Sequence, residues 1–152
     1  MSGRGQNVHG TAVVIATTGL IFVGPSGAGK SSIAHACIAE AGRRGLFARL
    51  IADDQIFVTV EGGQVVARRP DSISGKMEFR GSGIAAIPSI ARARLDYAVL
   101  VGNPTTQERL PPEEESFEIL PDVLLPLIRI SGAASDPLSR LARFVPFLGL
   151  SG

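Results

Sequence analysis

Near its N-terminus the chain carries Gly24-Pro25-Ser26-Gly27-Ala28-Gly29-Lys30-Ser31, which fits the pattern G-x-x-x-x-G-K-S/T in full. Glycines let a backbone fold around an anion with no Cβ in the way. The amides of such a loop point inward and form a nest for phosphate oxygens. A helix opening at Lys30 adds the partial positive charge of its N-terminus. Lys30 neutralises the outer phosphates, the Ser31 hydroxyl can ligate Mg²⁺, and Ser32 follows it in the same phosphate site. The expected ligand is a purine nucleotide, ATP with Mg²⁺. The competing reading is a Gly-rich turn that matches by chance. Context argues against it, because a short apolar run at 20–23 precedes the loop and an amphipathic stretch follows it.

Other residues could act beside such a loop. Asp53-Asp54 closes the apolar stretch 48–52. In an open α/β sheet, ligands lie outside the carboxyl ends of the strands. There one carboxylate could take a proton from a hydroxyl while the other supports a metal or an orientation. Without the loop, the same pair reads equally as a solvated turn. Glu78 alternates with Met77 and Phe79. It is either a solvent-facing strand residue or a Mg²⁺ carboxylate, since Mg²⁺ is usually held by one or two carboxylates plus phosphates. Arg80 could pair with a carboxylate. A lone histidine such as His9 is more often structural than catalytic. Arg109 sits in a polar loop, where an arginine is either solvated or reaches a transferring phosphoryl group. His35 and Cys37 read as packing residues, and Glu113-Glu114-Glu115 reads as a solvated loop. No Cys/His cluster has zinc spacing.

The elements that must position these residues follow from hydrophobic period and punctuation. Strands are expected over 8–16, 20–23, 48–52, 55–60, 64–68, 76–80, 95–101, 117–120 and 124–130. Thr17-Thr18-Gly19 reads as a turn, and Glu61-Gly62-Gly63 as a hairpin signal. A helix is expected over 30–41, with Ile33, Ala34, Cys37 and Ile38 on one face and Gly42 and Gly45 after it. Residues 84–94 read as a loop followed by a short helix, and 103–116 as a surface loop. Asp136-Pro137 reads as an N-cap with proline at the first helical position, opening a helix to about residue 144. Residues 1–7 are polar and Gly-rich, so fraying is expected there.

The bulk properties bound the class. A chain of 152 residues makes one ordinary domain, expected here to span 1–152. Aliphatic residues are plentiful and tryptophan is absent, which suits buried α/β strands. The formal net charge of +1 points to no nucleic-acid partner. The single cysteine cannot form an internal disulfide, which fits a reducing, cytoplasmic compartment. No apolar run reaches the roughly 18 residues of a membrane span, so no membrane partner is expected. The fold class that results is α/β: a P-loop nucleotide-binding domain with a mixed β-sheet flanked by helices.

Taken in order, Val8-His9-Gly10, the loop 24–31, Ala52-Asp53-Asp54 and Met77-Glu78-Phe79-Arg80-Gly81-Ser82-Gly83-Ile84, with Arg109-Leu110 further on, resemble the catalytic domain of HPr kinase/phosphorylase. That family phosphorylates a serine of the phosphocarrier protein HPr, and it also runs phosphorolysis of the seryl phosphate. The resemblance covers roughly residues 8–130. It implies that Lys30 and Ser31 are phosphate and Mg²⁺ ligands and that Asp53 and Asp54 are the acidic pair, with Asp54 the catalytic acid/base. It implies that Glu78 helps to hold Mg²⁺, that His9 lies near the phosphates, and that Arg109 faces the transferring phosphoryl group. HPr is the implied partner, and a homo-oligomer, hexameric in the long members, the implied assembly.

The chain departs from the long members. Beside them it is expected to be a short form, without their N-terminal domain and ending at Gly152 where they continue into a helical tail. Ser131-Gly132-Ala133-Ala134-Ser135-Asp136-Pro137 stands where they carry a basic stretch. These departures motivate the alternative of a nucleotide-binding regulatory module with little catalytic turnover. A small-molecule kinase is the weaker third reading, because no lid helix with clustered arginines is evident.

Overall fold

The structure is a computed structural model. It describes residues 5–25, 27–70, 88–102 and 115–145, and the backbone of 76–79 and 83–86. Along the chain run β1 (Gln6–Ile15), β2 (Thr18–Val23), α1 (Lys30–Arg43), β3 (Ala48–Glu61), β4 (Gln64–Arg68), β5 (Lys76–Phe79) and β6 (Gly83–Ala86). There follow β7 (Arg92–Arg94), β8 (Tyr97–Gly102), β9 (Ser116–Leu120), β10 (Val123–Ser131) and α2 (Pro137–Leu141). Eight strands form one sheet in the order β7-β4-β3-β1-β2-β8-β10-β9, and β5 and β6 make a separate hairpin. The sheet is mixed: β2 with β8 and β8 with β10 are parallel, and the other pairs are antiparallel.

β2 is buried along its whole length, as a central strand with packing on both faces must be. On one face, Ile33, Ala34, Cys37, Ile38 and Ala41 of α1 and Leu138 and Leu141 of α2 pack onto Val13, Leu20, Phe22, Leu50, Val99 and Val101. Burying isoleucines such as Ile33 and Ile38 contributes about 1.5–3 kcal/mol each relative to exposure. Cys37 lies inside this layer, and burial pushes its thiol pKa up to about 12, so it is an inert packing residue as expected. The opposite face gathers Ala12, Ile21, Val23, Ile51, Ala52, Ile56, Val58 and Ala67. Both described helices thus flank the sheet on one side.

Several boundaries differ from the expected ones for physical reasons. β1 begins at Gln6, because β3 is long enough to pair with it there through Val58. The first turn is Ala16-Thr17, and Gly19 belongs to β2. Its N–H donates to the Asp96 carboxylate at 2.8 Å, and the Arg94 backbone passes where a Cβ would stand. α1 continues to Arg43, helped by Glu40, which accepts from Arg43 at 2.6 Å and Arg44 at 2.7 Å.

Residues 84–94 contain no helix among those described. β6 pairs with β5, and β7 pairs with β4 as an edge strand. Between them, Ile90 N–H donates to Leu50 O and Leu50 N–H to Pro88 O, both at 2.9 Å. Arg92 and Arg94 gain Glu61 and Asp96 as ion-pair partners at 2.6 and 2.8 Å. The expected hairpin at Gly62-Gly63 is present. Both glycines have positive φ, 60 and 79°, the geometry of a two-residue type I′ turn.

At the C-terminal end, α2 stops at Leu141 rather than near residue 144. Its proline stands at the first turn as expected, but Asp136 makes no capping bond and instead accepts from Arg140 at 2.9 Å. Glu115, expected as a solvated loop residue, takes two nitrogens of Arg129 at 2.9–3.1 Å. Those hydrogen bonds hold its carboxyl below the usual carboxylate range.

Candidate active site

The phosphate loop leaves the buried end of β2. Gly24, Gly27 and Gly29 have φ of 143, 82 and 101°, a region that L side chains rarely adopt. A Cβ on Gly24 would also stand 2.5 Å from the Val101 carbonyl oxygen of β8. Gly29 is the N-cap of α1, in the left-handed conformation and with no side-chain cap. No acidic residue occupies the helix's first turn. The amides and the positive end of the helix dipole therefore face the loop uncompensated by any carboxylate of that turn. Lys30 Nζ donates to Gly24 O at 2.8 Å and Pro25 O at 3.2 Å, which sets the ammonium against the loop backbone. This donor set fits a polyphosphate.

The loop is backed by the segment that follows β10. Gly132 N–H donates to Gly102 O at 2.9 Å, and a Cβ at 132 would run into the Ala28 carbonyl oxygen. Gly132→Ala should therefore push the phosphate loop out of shape. Overpacking of this kind costs about 1–3 kcal/mol, so ATP affinity is expected to fall roughly tenfold or more. Calorimetric titration with ATP checks this, and wild-type affinity in the variant would show that the loop does not lean on Gly132.

Asp53 brings the second half of the site to the loop. It does not end a strand, because β3 runs on through Asp53 and Asp54, with β1 paired alongside: Thr11↔Asp53, Gly10↔Asp54 and His9↔Gln55. A bulge between Ala12 and Val13 of the β1 register leaves one extra residue in β3. Leu50 packs in the α1 layer, whereas Ile51 and Ala52 both belong to the opposite core. The bulge thus re-phases the strand and turns Asp53 towards α1, a common use of bulges. Asp53 Oδ1 accepts from Ser31 Oγ at 2.8 Å and from Thr11 Oγ1 at 2.7 Å. Sequence reading missed Thr11, which is buried at 1 % exposure. Its only signal was a hydroxyl at the head of the apolar run 12–15.

The described residues hold no cluster of three or more His, Cys, Asp or Glu side chains suited to a metal. A hydroxyl and one carboxylate together suit Mg²⁺, which takes its remaining ligands from phosphates and water. Asp54 and His9 lie just beyond, 3.8 Å apart between Oδ1 and Nδ1, with side chains 77 % and 81 % exposed. Asp54 has φ 78°, which Asp tolerates better than most residues.

The structure therefore joins Lys30, Ser31 and Asp53, and sets Asp54 beside His9. Ser32 is exposed on α1. Glu78 falls in β5, whose hairpin approaches both α1 and β3. Ser26, Arg80 and Arg109 lie outside the described residues.

The model of the family described as "HPr Serine kinase C-terminal domain" matches residues 3–93. Two relatives named HPr kinase/phosphorylase are similar over most of the chain. One, from Chlorobium limicola, is 34% identical across 82% of this chain and 39% of its own length. Another, from Brevibacillus brevis, is 30% identical across 81% of this chain and 41% of its own. The chain thus spans about two fifths of these relatives. The structure of the Hpr(Ser) kinase/phosphatase from Coxiella burnetii superposes with a TM-score of 0.73 at 24% identity. The match covers 91% of this chain and 90% of that one, and shows a shared fold.

Proposed function

We propose that this chain, which belongs to the HPr serine kinase C-terminal domain family, acts as an ATP- and Mg²⁺-dependent kinase on a serine of the phosphocarrier protein HPr. One observation carries the reading. The Ser31 hydroxyl donates to Asp53 at 2.8 Å, the pairing of loop serine and strand carboxylate by which P-loop proteins hold Mg²⁺ beside the outer phosphates.

The residues divide the work as follows. The loop amides and Lys30 bind the β- and γ-phosphates and draw charge from the bond to be broken. Ser31 and Asp53 would hold the metal, with Glu78 a further carboxylate on the neighbouring hairpin. Bound Mg²⁺ supplies charge neutralisation across the phosphate oxygens. Asp54, exposed at the edge of the site, accepts the seryl proton as the serine oxygen attacks the γ-phosphorus and the bond to ADP breaks. His9, 3.8 Å from it, orients that carboxylate, and Arg109 is the arginine that the family resemblance assigns to the phosphoryl group in transfer. In phosphorolysis inorganic phosphate attacks the seryl phosphorus, the bond to the serine oxygen breaks as pyrophosphate forms, and Asp54 returns the proton to that oxygen.

A cytoplasmic setting belongs to the same proposal. No described helix is long and apolar enough to cross a membrane. Incubation with γ-labelled ATP, Mg²⁺ and HPr, followed by mapping of the label, tests the function. Label on one HPr serine supports it. Tight ATP binding with no transfer would leave a nucleotide-binding regulatory module instead.

A further inference from the structure

We propose that Thr11 is a positioning residue for the Mg²⁺ site: it pins Asp53 so that Ser31 can present its oxygen to the cation. The inference rests on the proposed function, because it requires a nucleotide–Mg²⁺ complex at the loop.

Thr11 stands in a strand that is otherwise apolar from Ala12 to Ile15, and it is as buried as they are. A valine would fill the same β-branched shape with no polar atom to desolvate. A buried hydroxyl must find a partner, and this one finds Asp53 Oδ1 at 2.7 Å. The same oxygen accepts the Ser31 proton at 2.8 Å. With its proton committed to Asp53, the Ser31 oxygen keeps its lone pairs for a cation. That arrangement holds only if the carboxylate does not rotate, and the terminal torsion of an aspartate is soft. Thr11 holds Oδ1 from a second direction, on a separate strand.

The anchor itself is fixed. Thr11 is in register with Asp53 on one side and with Phe22 on the other. At the adjacent Gly10, β1 and β2 approach so closely that a Cβ would stand 2.8 Å from the Phe22 carbonyl oxygen. Thr11 therefore cannot drift without disturbing the sheet centre. It acts on the cation through Asp53 and makes no claim to touch the reacting atoms.

The test is calorimetric titration of ATP, with and without Mg²⁺, into wild type, Thr11→Val and Thr11→Ser, with thermal unfolding of each in the presence of MgATP. Losing a hydrogen bond to a metal-binding carboxylate is expected to weaken MgATP binding about tenfold or more, and Thr11→Ser should restore it. Mg²⁺-free binding should be nearly unchanged in Thr11→Val, and MgATP should raise its unfolding temperature less than that of wild type. Wild-type MgATP affinity in Thr11→Val overturns the inference and leaves the proposed function standing. Equal losses with and without Mg²⁺ overturn it too, by making Thr11 merely structural. A wild type that gains nothing from Mg²⁺ sinks the proposed function itself, and this inference with it. Should Thr11→Val not fold, Thr11→Ala removes the same hydroxyl and is read by the same criteria.

Discussion

Replacing Lys30 by alanine is expected to abolish measurable MgATP binding in a chain that still folds. The loop is built from backbone amides, and no acidic side chain lies in the first turn of α1. Lys30 is the full positive charge that the motif places on the outer phosphates. Its Nζ already lies against the loop, within 2.8 Å of Gly24 O. Removing one partner from a desolvated, hydrogen-bonded charge pair costs about 2–5 kcal/mol, which is ~30-fold or more in affinity. The fold has little stake in this side chain, since Ile33, Ala34, Cys37, Ile38 and Ala41 are the residues of α1 that pack onto the sheet. Thermal unfolding should therefore change little while calorimetry loses its binding signal. Unchanged ATP affinity in a folded Lys30→Ala chain would remove the phosphate-site reading.

Asp54→Asn should separate binding from chemistry. Asp54 is 77 % exposed and pairs with His9, whereas Asp53 accepts from Ser31 of the phosphate loop. The substitution is nearly isosteric, and asparagine tolerates the left-handed φ of 78° found here. What disappears is a group able to accept the seryl proton, or to return it in phosphorolysis. A positioned general base contributes about 10²-fold or more, so transfer to HPr should fall by that factor while ATP affinity holds. Residual transfer is expected, because positioning and charge stabilisation carry much of a phosphoryl transfer. Transfer at the wild-type rate in Asp54→Asn would assign the proton to another group.

The parts legible in the sequence were those whose chemistry is local. The loop 24–31 needs glycines at fixed positions, so its motif announced the positive φ of Gly24, Gly27 and Gly29. Gly62-Gly63 announced a hairpin for the same reason. The Asp53-Asp54 pair was legible as a candidate pair of carboxylates, but its placement was not. Reading it as the end of a strand followed from two charged residues interrupting an apolar pattern. In the structure β1 pairs across both residues, and a bulge at Ile51, two residues before it, turns Asp53 towards α1. That bulge depends on a partner distant in sequence.

Thr11 was hidden for a related reason. A threonine in a strand is ordinary, and only the register with Asp53 gives its hydroxyl a task. Residues 84–94 were misread because alanine and arginine favour helix locally, while the free edge of β4 captures Arg92–Arg94 as a strand. Glu115 lost its expected place among solvated loop residues to a bidentate arginine on β10.

The central claim is that Asp53 and Ser31 make the Mg²⁺ site of a phosphate-binding loop. Titration of ATP into wild type and Asp53→Asn, with and without Mg²⁺, tests it most directly. Wild type should bind MgATP more tightly than ATP alone. Asp53→Asn should lose about tenfold or more of MgATP affinity and little of the Mg²⁺-free affinity, because the amide keeps the shape and forfeits the charge that the metal requires. The same Mg²⁺ gain in both chains would contradict the account.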